Sequence, residues 1–519
     1  MKRWLRVLLV LLFVALSAGS MWSESLTFDE IVHMQEGVNA LTKHTFLIDT
    51  NNPPLIRELA MLPAVLGLGT IVPPRAVTVF FGALTLIAVY LFTKRYFGRT
   101  QAVFALFLLA LEPTFLANSH YVTLDTGVTL FVFLAYMAFV RLMERYSAGR
   151  LIVAGTLWGA AFASKMTAVP FLVISTVIAG LSLYKNAFRK IYTNIFRVVL
   201  CICLTGFVIW AAYFFTSDVL IVSREDAARV SSRLEAYAKA HDNRMVEGLV
   251  RLAQTTKLPL GNYSAVIKNT LIRPQRQPHI FFWGHFYPSA RWYFMVTTCL
   301  IKVPVPLLAL FILGFCASKR RKRTALFAIP VFVMAAVSCA VNIQPWVRYL
   351  LPLIPFVVIV ASESIYLLKG SAGKIIFIVL CLWFAYGTGM SFPHYISYAN
   401  EFAGPVRLRY RVVMDSNLDW GQSLPDFERY IQTIRPGFVS FSYFGRDNGD
   451  TYGLVSDFAY GSHRFEDICA FHHINLPYAS TKIIVAISVS NWYYCGYYTD
   501  PKFSGRPIKD VVGGSILIF

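Results

Sequence analysis

The sequence contains a long series of apolar runs, and this pattern limits the fold more than any other feature. Runs of about 17–25 apolar residues can cross a bilayer as helices, and charged residues make up only 15% of the chain. The sequence therefore predicts a polytopic all-α membrane protein with about eleven transmembrane helices. The predicted spans are Leu5–Met21, Ala76–Phe92, Gln101–Ala117, Val122–Leu142, Leu151–Phe162, Ala168–Leu183, Arg197–Phe215, Trp292–Cys316, Ala325–Val341, Tyr349–Leu368 and Ile375–Phe392.

The first run follows Met1-Lys2-Arg3 and resembles a signal peptide, with Ser17-Ala18-Gly19-Ser20 in the place of a cleavage site. Because so many further runs come after it, we expect it to remain as an uncleaved first helix.

Positive charge is concentrated in short segments on one side of these runs. The chain has a net charge of +20, but its Lys and Arg residues gather between runs, which is typical of cytoplasmic loops and not of a nucleic-acid groove. The basic loops 94–99, 141–150, 185–197, 319–323 and 369–374 all fall on the side of the N-terminus. We therefore predict a multi-pass protein of a bacterial inner membrane, with a cytoplasmic N-terminus and no nucleic-acid partner.

The opposite side receives the long polar segments, namely the first outer loop 22–74, the outer loop 216–291 and the tail. We divide the chain into a transmembrane domain, 1–392, and a small C-terminal periplasmic α/β domain, 393–519. In the first outer loop we expect two interfacial helices, one from Phe28 and one from Leu55. Patterns in the tail predict a helix at Leu424–Arg435 and strands at Val412–Met414, Phe438–Phe444, Ile483–Val489 and Ser515–Phe519.

Six of the eight cysteines fall in apolar runs, where they act as small hydrophobic residues. Cys469 and Cys495 lie instead in the tail, on the predicted oxidising side of the membrane. They can pair with each other, or they can remain as two free thiols.

Two adjacent carboxylates, Asp29 and Glu30, follow the first run in Leu26-Thr27-Phe28-Asp29-Glu30-Ile31. Thr27 and Glu30 have the spacing of a capping box, in which Glu30 accepts a hydrogen bond from the backbone N–H of Thr27. This interpretation leaves Asp29 available for chemistry at the outer boundary of the membrane.

Other polar residues are predicted to reach the same face. His120 and Asp125 stand at the outer end of a span, Lys165 in an outer turn and Arg348 at the start of a span. Lys302 lies inside a span, where a cation costs about 2.5–3.5 kcal/mol and usually faces a partner or a cavity. The alternative for Lys302 is snorkelling to the outer surface.

This set of residues favours an enzyme that acts on a lipid-borne phosphate. A carboxylate can accept a proton from an attacking hydroxyl, and cations can stabilise the departing phosphate. The alternative is a transporter or flippase for a lipid-linked or anionic solute. Transporters usually hold their charged residues near the midplane within repeated halves, and the sequence shows no internal repeat.

The outer loop 216–291 ends in a cluster of aromatic residues and a histidine, Trp283, His285 and Tyr287. It can form a lid over a bound sugar, or it can be a solvated loop.

The order of these motifs resembles that in bacterial membrane glycosyltransferases with the GT-C fold, of the protein O-mannosyltransferase and aminoarabinose transferase family (glycosyltransferase family 39-like). The motifs that carry the resemblance are Phe28-Asp29-Glu30, Asn52-Pro53-Pro54-Leu55, His120…Thr123-x-Asp125, Gly159…Lys165-x-Thr167, Tyr293-Phe294…Lys302-Val303-Pro304-x-Pro306, Arg348-Tyr349-x-x-Pro352 and Asp415-Ser416-Asn417-x-Asp419-Trp420-Gly421-Gln422.

The resemblance implies an inverting transfer of a hexosyl or pentosyl group, outside the cytoplasm, from a polyprenyl-phosphate donor to a hydroxyl of a protein, glycolipid or polysaccharide. It implies that Asp29 is the catalytic acid with Glu30 beside it, and that Asp125 is the second acidic position. Asn52 stands where many members have His, so no metal ligand is assigned and dependence on a divalent metal stays open. The candidate substrate-binding residues are His120, Asp125, Lys165, Lys302, Arg348 and His285.

Overall fold

The computed structural model describes residues 4–46, 51–192, 194–219, 255–272, 280–340, 346–366, 370–447, 468–476, 478 and 480–519. The helices are α1 (Trp4–Ser23), α2 (Glu30–Lys43), α3 (Leu55–Val65), α4 (Val72–Tyr96), α5 (Arg99–Ala110), α6 (Pro113–Asn118), α7 (Asp125–Glu144), α8 (Ala148–Phe162), α9 (Ala168–Leu183), α10 (Lys185–Tyr192), α11 (Ile195–Ala212), α12 (Gly261–Ile272), α13 (Trp292–Lys302), α14 (Val305–Ala317), α15 (Arg321–Ala340), α16 (Ile354–Ala361), α17 (Gly370–Met390), α18 (Leu424–Ile434), α19 (Val489–Tyr494) and α20 (Pro501–Ser504). The strands are β1 (Ser217–Val219), β2 (Lys257–Pro259), β3 (Ile280–Phe282), β4 (His285–Tyr287), β5 (Phe438–Ser442), β6 (His472–Asn475), β7 (Ile483–Ser488), β8 (Asp510–Val512) and β9 (Ile516–Ile518).

The chain is a multi-pass membrane protein. In its described parts, seven helical segments are long and apolar enough to cross a bilayer, or eight if the bent pair α13–α14 forms one span. Three shorter apolar helices, α5, α8 and α9, accompany them. The predicted total of eleven spans stays a prediction.

The pair α13–α14 is bent by 109°. The break falls at Val303 and Pro304, where Val303 leaves the helical region with φ −88° and ψ 133°. Proline lacks a backbone N–H and disfavours the helical conformation of the residue before it, so the sequence itself explains this break. Lys302 ends α13 and therefore stands at the bend.

The chain divides into two compact units. One contains Met1–Ile31, Arg75–Thr129 and Gln277–Phe519, and the other contains Val32–Pro74 and Leu130–Arg276. The predicted division at residues 392 and 393 stays a prediction, and residues 220–254 and 273–279 of the predicted lid lie outside the described residues.

In the second unit, two small residues let helices approach closely. A Cβ on Gly155 would lie 2.9 Å from Leu204, and one on Gly159 would lie 2.6 Å from Val208. Such contacts are typical of helix packing in membranes, where van der Waals contact replaces the hydrophobic effect. The turn after α8 carries Lys165, which is buried. The first outer loop contains two helices as predicted, α2 from Glu30 and α3 from Leu55, and their interfacial position stays a prediction.

The tail contains the predicted small α/β structure. Its five-stranded sheet has the order β6-β5-β7-β9-β8, with β5 and β7 parallel. Helix α18 packs on the sheet through Leu424, Phe427 and Ile431. The predicted helix and three of the predicted strands are confirmed, within one or two residues at most ends.

The predicted strand Val412–Met414 was wrong. This segment follows a 3-10 helix, Val406–Arg411, and the N–H groups of Val412 and Val413 both donate to the carbonyl of Arg409. These local bonds leave neither N–H for a strand partner. The apolar side chains are nevertheless buried in the tail core, so the sequence indicated their burial but not their backbone conformation.

Of the two states left open for the tail cysteines, the structure contains the disulfide between Cys469 and Cys495, with 5.5 Å between their Cα atoms.

Candidate active site

The segment that carries Asp29 is held by the tail through backbone hydrogen bonds. The N–H of Ser25 donates to the carbonyl of Gln422 at 3.0 Å, and the N–H of Phe28 donates to the carbonyl of Trp420 at 2.9 Å. Asp447 accepts from the N–H of Leu26 at 2.8 Å. The predicted catalytic loop and the tail motif Asp419-Trp420-Gly421-Gln422 therefore form one structure.

Gly421 makes this close approach possible. Its carbonyl accepts hydrogen bonds from the hydroxyls of Ser25 and Tyr443, at 2.8 and 2.6 Å. Its φ of +89° is in the left-handed region, and a Cβ there would lie 2.7 Å from the carbonyl oxygen of Phe444. Only glycine avoids both penalties.

Asp29 and Arg348 form an ion pair at the centre of this structure. Nη1 of Arg348 lies 2.7 Å from Oδ2 of Asp29, and the Asp29 side chain is 33% exposed whereas that of Arg348 is only 9% exposed. The Arg348 guanidinium lies over the ring of buried Trp420, 4.3 Å from its centroid. Asn417 accepts from the N–H of Val347 at 2.9 Å, which fixes the backbone beside Arg348.

Two further carboxylates act on the same guanidinium. Asp125, the first residue of α7, and Asp415 are both buried and interact electrostatically with Arg348. Burial raises the pKa of Asp415, while Arg348 and a 2.8 Å hydrogen bond from the Tyr494 hydroxyl oppose this rise. Arg348 is therefore a cation shared by carboxylates from three parts of the chain, of which Asp29 is the one that reaches solvent.

Glu30 differs from its neighbour in its burial and in the number of its hydrogen bonds. It is fully buried, and its carboxylate accepts from the backbone N–H of Thr27 at 2.8 Å, as the capping box predicts. It also accepts two bonds from Arg75, at 2.9 and 2.7 Å, and one from the N–H of Val122 at 2.8 Å. These bonds engage both oxygens, so the geometry favours a structural role and not the expected catalytic one.

Sequence reasoning missed Glu24, which organises a second polar group. Glu24 is buried, and its carboxylate bonds Nε2 of His120 at 2.7 Å and the hydroxyl of Tyr121. On its other side it meets Nδ1 of His394 at 3.3 Å, and Nε2 of His394 lies 3.2 Å from Asp426. The available signals were the positions of Glu24 and His394, just after the first and last apolar runs.

The expected role of His120 in substrate binding is not supported by this environment. The ring is fully buried, and its two nitrogens are bonded to Glu24 and to the carbonyl of Leu116 at 3.0 Å. A buried ring with both nitrogens engaged is suited to positioning other residues, and its part in substrate binding stays a prediction.

Comparison with known proteins supports the architecture. The family model for dolichyl-phosphate-mannose-protein mannosyltransferase matches residues 51–213. Two crystal structures of ArnT from Cupriavidus metallidurans resemble the chain, the apo form with a TM-score of 0.51 and 15% identity over 73% of this chain, and the form bound to undecaprenyl phosphate with a TM-score of 0.50 and 14% identity over 78%. The chain has the GT-C fold.

The GT-C chain covers 63% and 67% of the length of those two ArnT chains. No curated protein matches it in sequence. The solved structures are similar to it in fold alone.

Lys302 has a different environment in this GT-C chain from the one expected. Its ammonium donates to the backbone carbonyls of Ile396 and Asn417, at 2.8 and 2.7 Å, and to that of Tyr398. An ammonium has three N–H donors, so all of them are used within the buried interior. Lys302 joins the bend after α13 to the tail, and the geometry supports neither phosphate binding nor snorkelling.

Two candidates remain. Lys165 belongs to the second compact unit, and its part in substrate binding stays a prediction. His285 is exposed on β4, at the hairpin β3–β4 that packs on the tail through Phe281 and Phe286. Within the described residues, no group of three or more His, Cys, Asp or Glu side chains could hold a metal ion.

The position of His394 between Glu24 and Asp426 predicts that the stability of the fold depends on pH. Burial disfavours the charged form of His394, but hydrogen bonds with Asp426 and Glu24 outweigh it and raise the pKa of His394 to about 10. Burial would raise the pKa of Glu24, yet hydrogen bonds with His120 and His394 lower it to about 2. His394 therefore stabilises the fold fully below its ordinary pKa of 6.5 and loses this effect as the pH rises through about 10.

We expect His394→Gln to lower the thermal unfolding midpoint most at about pH 6, with a difference from the wild type that shrinks towards about pH 10. Glu24 acts at the other end, because its contribution is present above its ordinary pKa of 4.5 and is lost only as the pH falls towards about 2. His285→Gln, on the exposed hairpin, is the matched control and should leave the pH profile unchanged. A His394→Gln difference that is constant with pH would contradict this prediction.

Proposed function

We propose that this protein is an inverting glycosyltransferase that moves a sugar from a polyprenyl-phosphate donor to a hydroxyl acceptor. The observation that carries the proposal is the Asp29–Arg348 pair, in which a partly exposed carboxylate lies 2.7 Å from a buried guanidinium within a GT-C fold. One residue of this pair can take a proton and the other can hold a phosphate, which are the two tasks of the reaction.

The reaction is a single displacement. The acceptor hydroxyl attacks the anomeric carbon, a new carbon–oxygen bond forms, and the bond to the phosphate oxygen breaks. Polyprenyl phosphate leaves with the bonding electrons, and Asp29 takes the proton of the hydroxyl. Attack opposite to the leaving group inverts the configuration at the anomeric carbon.

Arg348 is suited to the departing phosphate. Among the described residues its Nε makes no hydrogen bond, although the atom is buried, and buried donors normally have a partner. A guanidinium presents a planar set of donors that matches phosphate oxygens in pairs. A phosphate that reached Arg348 would compete with Asp29 for it, so donor binding would release the carboxylate to act as a base.

The undecaprenyl phosphate bound by one ArnT structure supports a lipid-linked donor, and the basic loops support an outer active site in a bacterial inner membrane. Mass analysis of surface glycans and lipid-linked sugars in a deletion strain identifies the donor sugar, hexosyl or pentosyl, and the acceptor, a protein, glycolipid or polysaccharide.

An assay in detergent separates this function from transport. Purified protein given donor lipid and acceptor should release free polyprenyl phosphate without any sealed compartment. If it makes no product with any donor lipid but moves a solute across proteoliposomes, the proposal is wrong and the protein is a transporter.

Substitutions of Arg348 and Lys302 should affect different properties, donor binding and stability respectively. We expect Arg348→Met to raise the KM for the donor lipid about tenfold or more, because a charge-assisted contact to phosphate is lost, and to leave the KM for the acceptor unchanged. Lys302→Met should lower the unfolding midpoint, because three buried carbonyls lose their donor, with the donor KM unchanged in the folded fraction. Equal donor kinetics in Arg348→Met and wild type would remove Arg348 from the phosphate site.

The disulfide offers a test of the proposed orientation. In intact cells, a membrane-impermeant maleimide should label Cys469 and Cys495 only after reduction, as mapped by peptide mass analysis. The bond closes a sequence separation of 26 residues, and its loss should destabilise the tail by about 3 kcal/mol in the chain-entropy model. Labelling that requires lysis even after reduction would place the tail in the cytoplasm and overturn the orientation.

A further inference from the structure

The tail contains a cavity that the proposed reaction does not use. It encloses about 510 Å³, which is within the size range of pockets that bind small molecules. Buried aromatic side chains of α19, Trp492 and Tyr493, form part of its wall together with Tyr410. All three belong to the core of the tail, so these rings are held rigidly.

The rim of the cavity is strongly basic. Its cations are Arg407, Arg411, Arg506 and Lys509, all exposed, and its one carboxylate is Asp510. Nη2 of Arg407 lies 4.0 Å from Oδ1 of Asp510. Arg411 is exposed and donates from Nε to the hydroxyl of Tyr410 at 3.1 Å. Positive charge therefore exceeds negative charge around an aromatic wall.

The hairpin β3–β4 closes one side of the cavity through Gly284. The φ of Gly284 is +80°, and a Cβ there would lie 2.9 Å from the carbonyl oxygen of Arg411. Glycine is thus required for the hairpin to reach the cavity, and the contact fixes the backbone that carries Arg411.

Helix α19 connects this cavity to the candidate active site. Trp492 and Tyr493 line the cavity, whereas the next residue, Tyr494, donates to Asp415 in the carboxylate group around Arg348. Ser490 of the same helix accepts from the N–H of Asp415 at 3.0 Å. Helix α19 therefore contacts both the cavity and Asp415, which interacts electrostatically with Arg348.

We propose that this cavity binds an anionic saccharide, and that it anchors the part of the acceptor that is remote from the reacting hydroxyl. Trp492 and Tyr493, which are 7% and 5% exposed, give a sugar ring a small apolar contact surface. Guanidinium groups of the rim bind carboxylate or phosphate substituents with paired hydrogen bonds. The role in anchoring the acceptor rests on the proposed glycosyl transfer, whereas saccharide binding itself does not.

The test is calorimetric binding to the full chain in phosphatidylcholine nanodiscs. The anionic probes are trigalacturonic acid and glucose 6-phosphate, the neutral probes are maltotriose and glucose, and inorganic phosphate is the anion without a ring. We expect an anionic sugar to bind at least tenfold more tightly than its neutral counterpart and than inorganic phosphate. The double variant Arg411→Gln with Arg506→Gln should weaken this binding about tenfold or more, and Lys482→Gln, an exposed cation of the tail outside the cavity, should not.

Every other outcome overturns the site. No binding of either anionic sugar, or equal binding by the double variant, removes it. If inorganic phosphate binds as tightly as the anionic sugars, the cavity is only an anion site. If the double variant binds the sugars normally and loses only its affinity for phosphatidylglycerol nanodiscs, the cavity is a contact with the lipid surface. Asp29→Asn should bind the sugar as the wild type does, so a failure of the catalytic proposal would be seen separately.

Discussion

Asp29→Asn should reduce turnover by about 10²-fold or more, the usual contribution of a general base, while the protein remains folded. The substitution keeps the shape of the side chain, and an amide oxygen can still accept from Nη1 of Arg348, which lies 2.7 Å from Asp29. The amide cannot take the proton of the acceptor hydroxyl, so the loss should appear in kcat. Single-turnover release of polyprenyl phosphate measures it directly.

The matched control is Glu428→Gln, which removes a carboxylate from helix α18 in the tail, away from this site. It should leave turnover unchanged and so separates loss of the base from loss of negative charge on the outer side. Near-normal transfer by Asp29→Asn would remove Asp29 from the mechanism. An unfolding midpoint well below that of the wild type would instead make Asp29 a structural partner of Arg348.

Glu30→Gln should lower stability much more than turnover, although Glu30 is adjacent to Asp29 in sequence. Glu30 and Arg75 are both fully buried and share two hydrogen bonds. Removing one partner of a buried ion pair leaves an uncompensated charge and typically costs about 3–5 kcal/mol. We expect a large fall in the free energy of unfolding, measured by denaturant titration in detergent, and a turnover per folded molecule that falls much less than in Asp29→Asn.

A double-mutant cycle tests the cause. If the unpaired charge of Arg75 is responsible, Glu30→Gln with Arg75→Gln should destabilise the protein by less than the sum of the two single variants. Arg75 also donates to the carbonyls of Met21, Glu24 and Ser25, so the double variant should not return to wild-type stability. Wild-type stability of Glu30→Gln would contradict the assignment.

The contrast between Asp29 and Glu30 shows which contacts can be predicted from the sequence and which cannot. The capping spacing of Thr27 and Glu30 was readable because it is a local backbone pattern, and the structure confirms its hydrogen bond. Arg75 is 45 residues from Glu30 along the chain, and no local pattern connects them. Similarly, a lysine inside an apolar run indicated a buried partner for Lys302, but could not show that the partners are carbonyls about a hundred residues away.

By itself, the sequence determined the membrane class, the positions of most long helices and most tail strands, and it contains the prolines that explain the break found after Lys302. Each of these follows from short-range physics: apolar length against bilayer thickness, the missing N–H of proline, and alternating burial in strands. Tertiary structure decided which polar residues meet. It placed the partly exposed Asp29 beside Arg348 and gave Glu30, His120 and Lys302 hydrogen-bond partners in the interior. It also placed Glu24 and His394 in contact with each other. A buried polar group must find its hydrogen bonds wherever the fold supplies them, and that choice depends on the whole chain.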